Sequence, residues 1–149
     1  MIVIAHNIRS LHNVGSIFRS CDVFGVEKLY LSGITGAPPR KEIAKVALGS
    51  EHRVAWETVG DMLGLISRLQ SDGYIVVALE NEPRAKPIDA CVPIGPLAII
   101  LGSEVSGIDS SVLDLCDHVV KIPMPGRKQS LNVSVAAGIA LFALTSQAR

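Results

Sequence analysis

Five short apolar segments, separated by segments with helical periodicity, constrain the fold of this chain more than any other feature of its sequence. All five are rich in Val, Ile or Leu, and three are apolar almost without interruption, which is typical of parallel strands covered by helices on both faces. Strands that alternate with helices in one chain predict an α/β fold with three layers, α/β/α, around a mostly parallel sheet. The predicted strands are Ile2–His6, Lys28–Ser32, 74–80, 97–102 and 118–122.

The segments between these strands carry apolar residues at intervals of three and four, as amphipathic helices do. Glycine follows the first two closely and is a common signal for the end of a helix. The last segment is apolar nearly all round, so we expect it to be buried, in part against a second subunit. The predicted helices are residues 14–24, 62–69, 109–116 and 132–147.

Length and composition predict one soluble, cytoplasmic domain over residues 1–149. No internal repeat or shift of composition divides the chain, and no basic segment precedes the first strand as it would in a signal peptide. The longest nearly apolar stretch, residues 131–144, is shorter than the ~20 residues that a membrane span needs. The three cysteines, Cys21, Cys91 and Cys116, are scattered in apolar runs, which favours buried thiols in a reducing compartment.

Several classes of protein are excluded by the motifs that the sequence lacks. Neither GxGxxG after the first strand nor GxxxxGK[ST] is present, which argues against a dinucleotide oxidoreductase and a P-loop NTPase. HExxH and GxSxG are also missing and the four histidines are far apart, so no metal site is expected. The chain has 14 Lys and Arg and 14 Asp and Glu, which excludes binding of nucleic acid by bulk charge but allows a local basic patch.

Polar residues and glycines gather in three places at the ends of apolar elements. In the first, residues 13–19 (NVGSIFR), we expect Asn13 to cap the first helix and Gly15 to allow a close backbone approach. Arg19 borders the apolar stripe of that helix, where a guanidinium needs a partner. An ion pair on the protein surface would suffice, but a phosphate or carboxylate ligand is the functional alternative.

The second and third clusters follow two later strands. In residues 101–107 (LGSEVSG), Gly102 leaves room for a flat ligand against the backbone, and Glu104 lies at the rim of the sheet. After residues 122–126 (IPMPG), either Ser130 or Asn132 is expected to cap the last helix. Each cluster alone is compatible with an ordinary turn or cap. Together they predict one binding site, because ligands of open α/β sheets bind at the carboxyl ends of the strands.

The three clusters together resemble the three sequence motifs of the SpoU-type (TrmH) RNA 2′-O-ribose methyltransferases of the SPOUT superfamily. The matching segments are NxGxxxR in residues 13–19, LGSExxG in residues 101–107, and IPMPG with SLNVSVAAGIA within residues 122–140. The resemblance implies a deep trefoil knot in the C-terminal segment, which general rules of chain topology would not suggest. It also implies S-adenosyl-L-methionine as cofactor and a homodimer formed through the knot region and the C-terminal helix.

The resemblance further assigns roles to individual residues. Arg19 would be the catalytic residue, either as a base or as the group that binds an RNA phosphate and stabilises the developing alkoxide; the second role suits a side chain that normally stays protonated. Asn13 would orient Arg19, Glu104 would hold the polar network, and Ser130 and Asn132 would complete the catalytic set. The implied cofactor-binding residues are Leu79, Glu80, Leu101, Gly102, Ile122, Met124 and Leu131.

The distribution of charge predicts how RNA would be held. Residues 121–149 contain four Lys or Arg and no Asp or Glu, whereas residues 61–120 contain three and nine. The basic excess therefore falls in segments that also carry the motifs, which predicts modest and salt-sensitive binding on one face. The candidate RNA-binding residues are Arg9, Arg40, Lys41, Lys45, Arg127 and Lys128.

The sequence thus predicts an enzyme that transfers a methyl group from S-adenosylmethionine to a ribose 2′-hydroxyl of tRNA or rRNA, without a separate RNA-binding domain. A non-catalytic RNA-binding or assembly protein that keeps the knotted fold is an alternative. A small-molecule-binding domain unrelated to RNA is a third. The intact candidate catalytic residues favour the enzyme, whereas the choice between tRNA and rRNA, the modified nucleotide and the need for a partner protein are left open.

Overall fold

In a computed structural model, which describes residues 1–90 and 94–147, seven strands form one sheet in the order β3-β2-β1-β6-β4-β7-β5. Every pairing between neighbouring strands of this sheet is parallel. The strands are β1 (Ile2–His6), β2 (Lys28–Ser32), β3 (Trp56–Val59), β4 (Ile75–Leu79), β5 (Lys86–Pro87), β6 (Leu97–Leu101) and β7 (His118–Lys121). The helices are α1 (Leu11–Val23), α2 (Lys41–Ala47), α3 (Ser50–Arg53), α4 (Met62–Ser71), α5 (Ser110–Leu113) and α6 (Val133–Gln147).

The central strands are buried along their whole length because helices cover both faces of the sheet. Successive side chains of a strand point to opposite faces. In β1, Val3 and Ala5 therefore pack in one core with α1, α2 and α6, whereas Ile2 and Ile4 pack in a second core with α4 and α5. The predicted three-layer α/β/α architecture is confirmed.

The five predicted strands are present, whereas β3 and β5 were not predicted. Both lie at the edges of the sheet, where a strand has no continuous apolar run: the two middle residues of β3, Glu57 and Thr58, are exposed. The helices α2 and α3 were missed because they are short, and α2 buries only Ile43 and Ala47. The predicted helix over 109–116 is shorter, at Ser110–Leu113. The strand order is compatible with the C-terminal knot, which stays a prediction.

The first helix begins earlier than the sequence analysis predicted. Ser10, and not Asn13, is its N-cap: Oγ of Ser10 accepts a hydrogen bond from the backbone N–H of Asn13 at 3.2 Å. Asn13 lies in the first turn, so its side chain is free for contacts outside the helix. The helix ends as predicted, just before Gly25, which has a φ of +63°.

The last helix runs parallel to α1 in the same layer. Asn132, directly before α6, is hydrogen-bonded to Asn13, and further along the rings of Phe142 and Phe24 lie 6.5 Å apart. The inner side of α6 is buried as predicted, but Val135, Ile139 and Phe142 on the outer side are 50%, 39% and 62% exposed. A single chain therefore leaves an apolar stripe open on α6. None of the helices in the described part of the chain has the length and apolarity needed to cross a bilayer.

The cysteines are placed largely as predicted. Cys21 is buried in the core, and burial raises the pKa of its thiol to about 12. Cys116 is half-buried, and its pKa is raised to about 12 by burial and, to a smaller extent, by the charge of Asp117. Cys91 lies outside the described residues. A thiol with a pKa this high stays protonated at neutral pH and is a poor nucleophile.

Gly15 is required for the close packing of α1 on α2, as the sequence analysis anticipated. A Cβ at this position would lie 2.6 Å from the carbonyl oxygen of Ile43 and 3.0 Å from Cβ of Val46.

We expect Gly15→Ala to lower the free energy of unfolding in urea, because overpacking costs about 1–3 kcal/mol and exceeds a helix-propensity gain of at most about 1 kcal/mol. Gly60→Ala is the control, since a Cβ at Gly60 meets no atom within 4 Å. Equal stability of the two variants would contradict the prediction.

Candidate active site

A cavity of about 220 Å³ opens at the carboxyl ends of β4, β6 and β7. The segments that leave these strands form its wall, together with the start of α6. All seven residues that the sequence analysis associated with the cofactor line this one cavity. They are Leu79, Glu80, Leu101, Gly102, Ile122, Met124 and Leu131.

Two candidate catalytic residues, Glu104 and Ser130, also line the cavity. Six further lining residues were missed by sequence reasoning. Most of them directly follow or precede a predicted residue, so adjacency to the motifs was the signal that could have found them. They are Asn81, Ser103, Lys121, Gln129, Val133 and Ala136.

Gly102 lines the cavity, and the absence of a side chain at this position also allows close packing within the protein. A Cβ on Gly102 would lie 2.4 Å from Cγ1 of Ile108 and 3.1 Å from the carbonyl carbon of Gly107. The sequence predicts only that this glycine leaves room for a ligand. A larger residue at position 102 would displace the loop that begins there. Such a substitution would therefore change both the loop and the wall of the cavity.

Glu104 joins the three motif segments in one hydrogen-bond network. Its Oε1 accepts from Nδ2 of Asn13 at 2.9 Å, from Nδ2 of Asn132 at 3.3 Å and from the backbone N–H of Val133 at 3.1 Å. Nδ2 of Asn132 also lies 3.2 Å from Oδ1 of Asn13. Residues separated by up to 119 positions in the sequence thus meet at one point, as expected from their positions at strand ends.

Asn132 has two roles in the structure. Its Oδ1 accepts from the backbone N–H of Ser134 at 2.9 Å and from that of Val135 at 3.4 Å, so it caps α6. Its Nδ2 donates to Glu104 and Asn13. Ser130 does not cap the helix and lies in the cavity wall instead.

Arg19 is separate from this network. It lies six residues after Asn13 on α1, which is about 9 Å along the helix axis, and its side chain is exposed. It makes no hydrogen bond or ion pair with any residue in 1–90 or 94–147, and Asn13 is held by Glu104 and Asn132 rather than by Arg19. The guanidinium is therefore available for an anionic ligand.

The six candidate RNA-binding residues are all exposed. Arg9 follows β1, Arg40 lies in the loop after β2, and Arg127 follows β7, so these loops extend from the same rim as the cavity. Within the described ranges, Arg40 alone among the six lies near a carboxylate, with Nε 3.9 Å from Oε2 of Glu42. Their positive charge is therefore directed mainly to the solvent. The full set is Arg9, Arg40, Lys41, Lys45, Arg127 and Lys128.

His6 at the end of β1 is buried. Burial lowers its pKa, and the negative charge of Asp109 opposes that shift only in part. Its Nδ1 lies 2.7 Å from Oγ of Ser32, and its Nε2 lies 3.3 Å from Nδ2 of Asn7. These contacts give His6 a structural role. Among residues 1–90 and 94–147, no group of His, Cys, Asp and Glu is arranged to hold a metal ion.

Comparison with known proteins identifies a family that shares this sequence and this fold. Residues 1–142 match the profile of the SpoU rRNA Methylase family. The chain is 33% identical over 147 residues to the 23S rRNA (guanosine-2'-O-)-methyltransferase RlmB of Vibrio parahaemolyticus, an alignment that covers 99% of this chain and 59% of that protein. The chain therefore spans less than two thirds of the length of this relative.

Two solved structures show the same fold over nearly the whole chain. The TrmH/SpoU tRNA modifying enzyme of A. aeolicus has a TM-score of 0.89 and 30% identity, with 98% of this chain and 74% of that chain covered. The AdoMet-bound rRNA methyltransferase of Sinorhizobium meliloti has a TM-score of 0.87 and 25% identity, with 95% of this chain and 54% of that chain covered.

The two roles of Asn132 can be separated by substitution. Asn132→Ala removes the cap and the network, and loss of a cap costs about 0.5–2 kcal/mol. Asn132→Asp keeps the capping oxygen but places a carboxylate where Nδ2 now lies 3.3 Å from Glu104. We expect Asn132→Asp to be at least as destabilised as Asn132→Ala near pH 7, because two ionised carboxylates repel each other.

Acid should reverse that order. The repulsion raises the pKa of the carboxyl pair in the folded state, so its cost is present at neutral pH and is lost as the pH falls and one carboxyl is protonated. Urea unfolding at about pH 7 and about pH 4, each variant against the unsubstituted protein, measures this. A constant difference between the two variants at both pH values would argue against the network.

Proposed function

Because the chain belongs to the SpoU rRNA methylase family, we propose that it transfers a methyl group from S-adenosyl-L-methionine to a ribose 2′-hydroxyl of tRNA or rRNA. One observation carries the proposal: the network of Asn13, Glu104 and Asn132 lies beside a cavity whose wall contains every residue expected to contact the cofactor. The relatives support both RNA classes, since one is a 23S rRNA methyltransferase and another is a tRNA modifying enzyme.

The wall of the cavity fits S-adenosylmethionine. Apolar side chains such as Leu101, Ile122 and Leu131 offer a surface for a purine ring, and Gly102 exposes backbone beside them. Pockets for such ligands combine apolar walls with a few polar groups in this way. The AdoMet-bound structure of the Sinorhizobium meliloti relative supports the same ligand class. When bound, S-adenosylmethionine supplies a methyl group that is activated by a positively charged sulfur.

The polar residues of the site would hold the RNA ribose and its neighbouring phosphate. Glu104 fixes the amides of Asn13 and Asn132, so that these groups keep their positions without rearrangement during the reaction. Arg19 would bind a phosphate and stabilise the negative charge that develops on the 2′-oxygen as this oxygen attacks the methyl group and its proton passes to water, a role that suits an exposed guanidinium. Ser130, in the cavity wall, would contact the same ligand.

The exposed basic residues at the rim would hold the RNA backbone. Arg9, Arg40, Arg127 and Lys128 extend from the loops at the carboxyl ends of the strands, and Lys41 and Lys45 lie in α2 directly after Arg40. Contacts of this kind weaken as salt rises, because each neutralised phosphate releases counterions. Both tRNA and rRNA would be met in the cytoplasm, where we place the protein.

The apolar stripe on α6 supports a homodimer. Val135, Ile139 and Phe142 are exposed on the outer side of the helix, and Val23 of the neighbouring helix α1 is 71% exposed. Contiguous apolar patches on a folded protein commonly mark an interface. Arg19 lies one turn before Val23 on the same side of α1. A second copy on this surface would therefore place Arg19 at or near the interface.

The role of Arg19 is tested by substitution. We expect Arg19→Ala to reduce methyl transfer from labelled cofactor to total RNA by at least about 100-fold, since a preorganised donor to a developing oxyanion contributes about that much. Affinity for S-adenosylhomocysteine in titration calorimetry should change less than about threefold, because Arg19 does not line the cavity. Arg19→Lys tests whether charge alone suffices, and Lys86→Ala is the control for an exposed cation elsewhere.

Two outcomes would contradict this assignment. If Arg19→Ala keeps full transfer, the residue has no catalytic role. If the unsubstituted protein retains RNA at low salt but transfers no methyl group, the non-catalytic alternative is correct.

The dimer is tested by placing a charge in the stripe. A glutamate at position 142 would be desolvated in an interface without a partner, at a cost of several kcal/mol, so Phe142→Glu should sediment as a monomer. Leu63→Glu is the control, because Leu63 is 43% exposed on α4, on the opposite face of the sheet. A monomeric unsubstituted protein, or a dimeric Phe142→Glu variant, would exclude this interface.

A further inference from the structure

Both carboxylate oxygens of Glu80 are already held by backbone donors, although this residue lies in the wall of the cavity. Oε2 accepts from the N–H of Ile108 at 2.9 Å, and Oε1 accepts from the N–H of Asn81 at 3.0 Å. Hydrogen bonds to an ionised acceptor are roughly twice as strong as neutral ones. Glu80 therefore ties the end of β4 to the end of the loop that follows β6.

That loop, residues 102–108, is closed on itself. The backbone N–H of Gly107 donates to the carbonyl oxygen of Ser103 at 2.9 Å, and Oγ of Ser103 accepts from the N–H of Val105 at 3.2 Å. At its base, Gly102 and Ile108 are so close that no side chain fits between them. Because of these internal contacts, the position of Gly102 and Ile108 at the base of the loop determines the position of its tip.

The tip of the loop carries Glu104. Its Oε1 can accept from Asn13, Asn132 and Val133 together only if the loop stands where it does, because hydrogen bonds weaken steeply when their geometry is lost. Glu80 thus holds one end of a short rigid link whose other end is the centre of the catalytic network.

We propose that Glu80 is a positioning residue for methyl transfer, which places Glu104 through the backbone N–H of Ile108. The inference rests on the proposed function for its effect on turnover. It assigns Glu80 a role different from the cofactor contact that the family resemblance implies. The carboxylate of Glu80 holds the loop in place, and the contribution of Glu80 to cofactor affinity is minor.

Two substitutions weaken the link between Glu80 and the loop from opposite sides. Glu80→Gln keeps the shape of the side chain but replaces one acceptor oxygen by a donor and removes the negative charge. The bonds from Asn81 and Ile108 cannot then both be kept, and the one that stays is weaker. Gly107→Ala would place a Cβ 2.6 Å from Oε2 of Glu80, and Gly107 does not line the cavity. Because Gly107 has a φ of +67°, Gly73→Ala is the matched control: Gly73 has a φ of +87° and no atom within 4 Å of its Cβ position.

We expect Glu80→Gln and Gly107→Ala each to lower kcat for methyl transfer to total RNA by at least about tenfold, with S-adenosylhomocysteine affinity changed less than about threefold. The kcat of the double variant should lie no more than about twofold below that of the less active single variant, because both changes weaken the same link. In NMR spectra, the side-chain amide signals of Asn13 and Asn132 should move in the direction seen in Glu104→Gln. Gly73→Ala should leave all three measurements unchanged.

Other results would overturn the proposal. Loss of more than about tenfold in S-adenosylhomocysteine affinity in Glu80→Gln but not in Gly107→Ala would make Glu80 a cofactor ligand. Unmoved amide signals in both variants would show that Glu80 does not control the network. Failure of the proposed function is a separate result: the unsubstituted protein would then transfer no methyl group, while the amide signals would still report on the link between Glu80 and Glu104.

Discussion

The parallel pairing of β6 between β1 and β4 is the constraint on which the rest of the structure depends. Ala5 pairs with Leu101, and Leu101 pairs with Leu79, so the carboxyl ends of three buried strands lie level at one rim. Apolar cores on both faces hold this register, because a slip of one residue would turn every side chain to the wrong face. The sheet therefore brings the loops that leave the rim close enough for their own hydrogen bonds to form.

This dependence explains which parts of the structure could be predicted from sequence. The central strands carry a strong local signal, since burial on both faces requires continuous apolar runs, and the rim follows from their parallel order. An edge strand such as β3 carries no such signal, because it pairs on one side only and its two middle residues are exposed. The polar clusters could be assigned to one rim, yet their partners could not be assigned, because side-chain contacts depend on helix starts. Ser10 takes the cap that Asn13 was expected to provide, and that shift frees Asn13 to reach Glu104.

Asn132 illustrates a second limit of sequence reasoning. Capping and participation in the site are alternatives when a motif is read along the chain, since either explains an asparagine before a helix. In three dimensions an amide has an acceptor and a donor that point in different directions. Oδ1 faces the N–H groups of α6, and Nδ2 faces Glu104. The start of the helix and the geometry of the network are consequently set by one side chain, and Gly102 likewise serves both the cavity and the packing of its loop.

The position of Arg19 gives the proposed dimer a chemical consequence. The network around Glu104 lies on the side of α1 that meets α6, whereas Arg19 lies on the exposed side together with Val23. An arginine in water interacts weakly with a phosphate, because the solvent screens the charge. A second copy that covers the apolar stripe of Val135, Ile139 and Phe142 would remove water from the vicinity of Arg19 and lower the local dielectric constant, which strengthens its attraction for phosphate. In the proposed dimer, burial of the stripe and activation of Arg19 would be the same event, and the apolar helix α6 would contribute to the chemistry of the site.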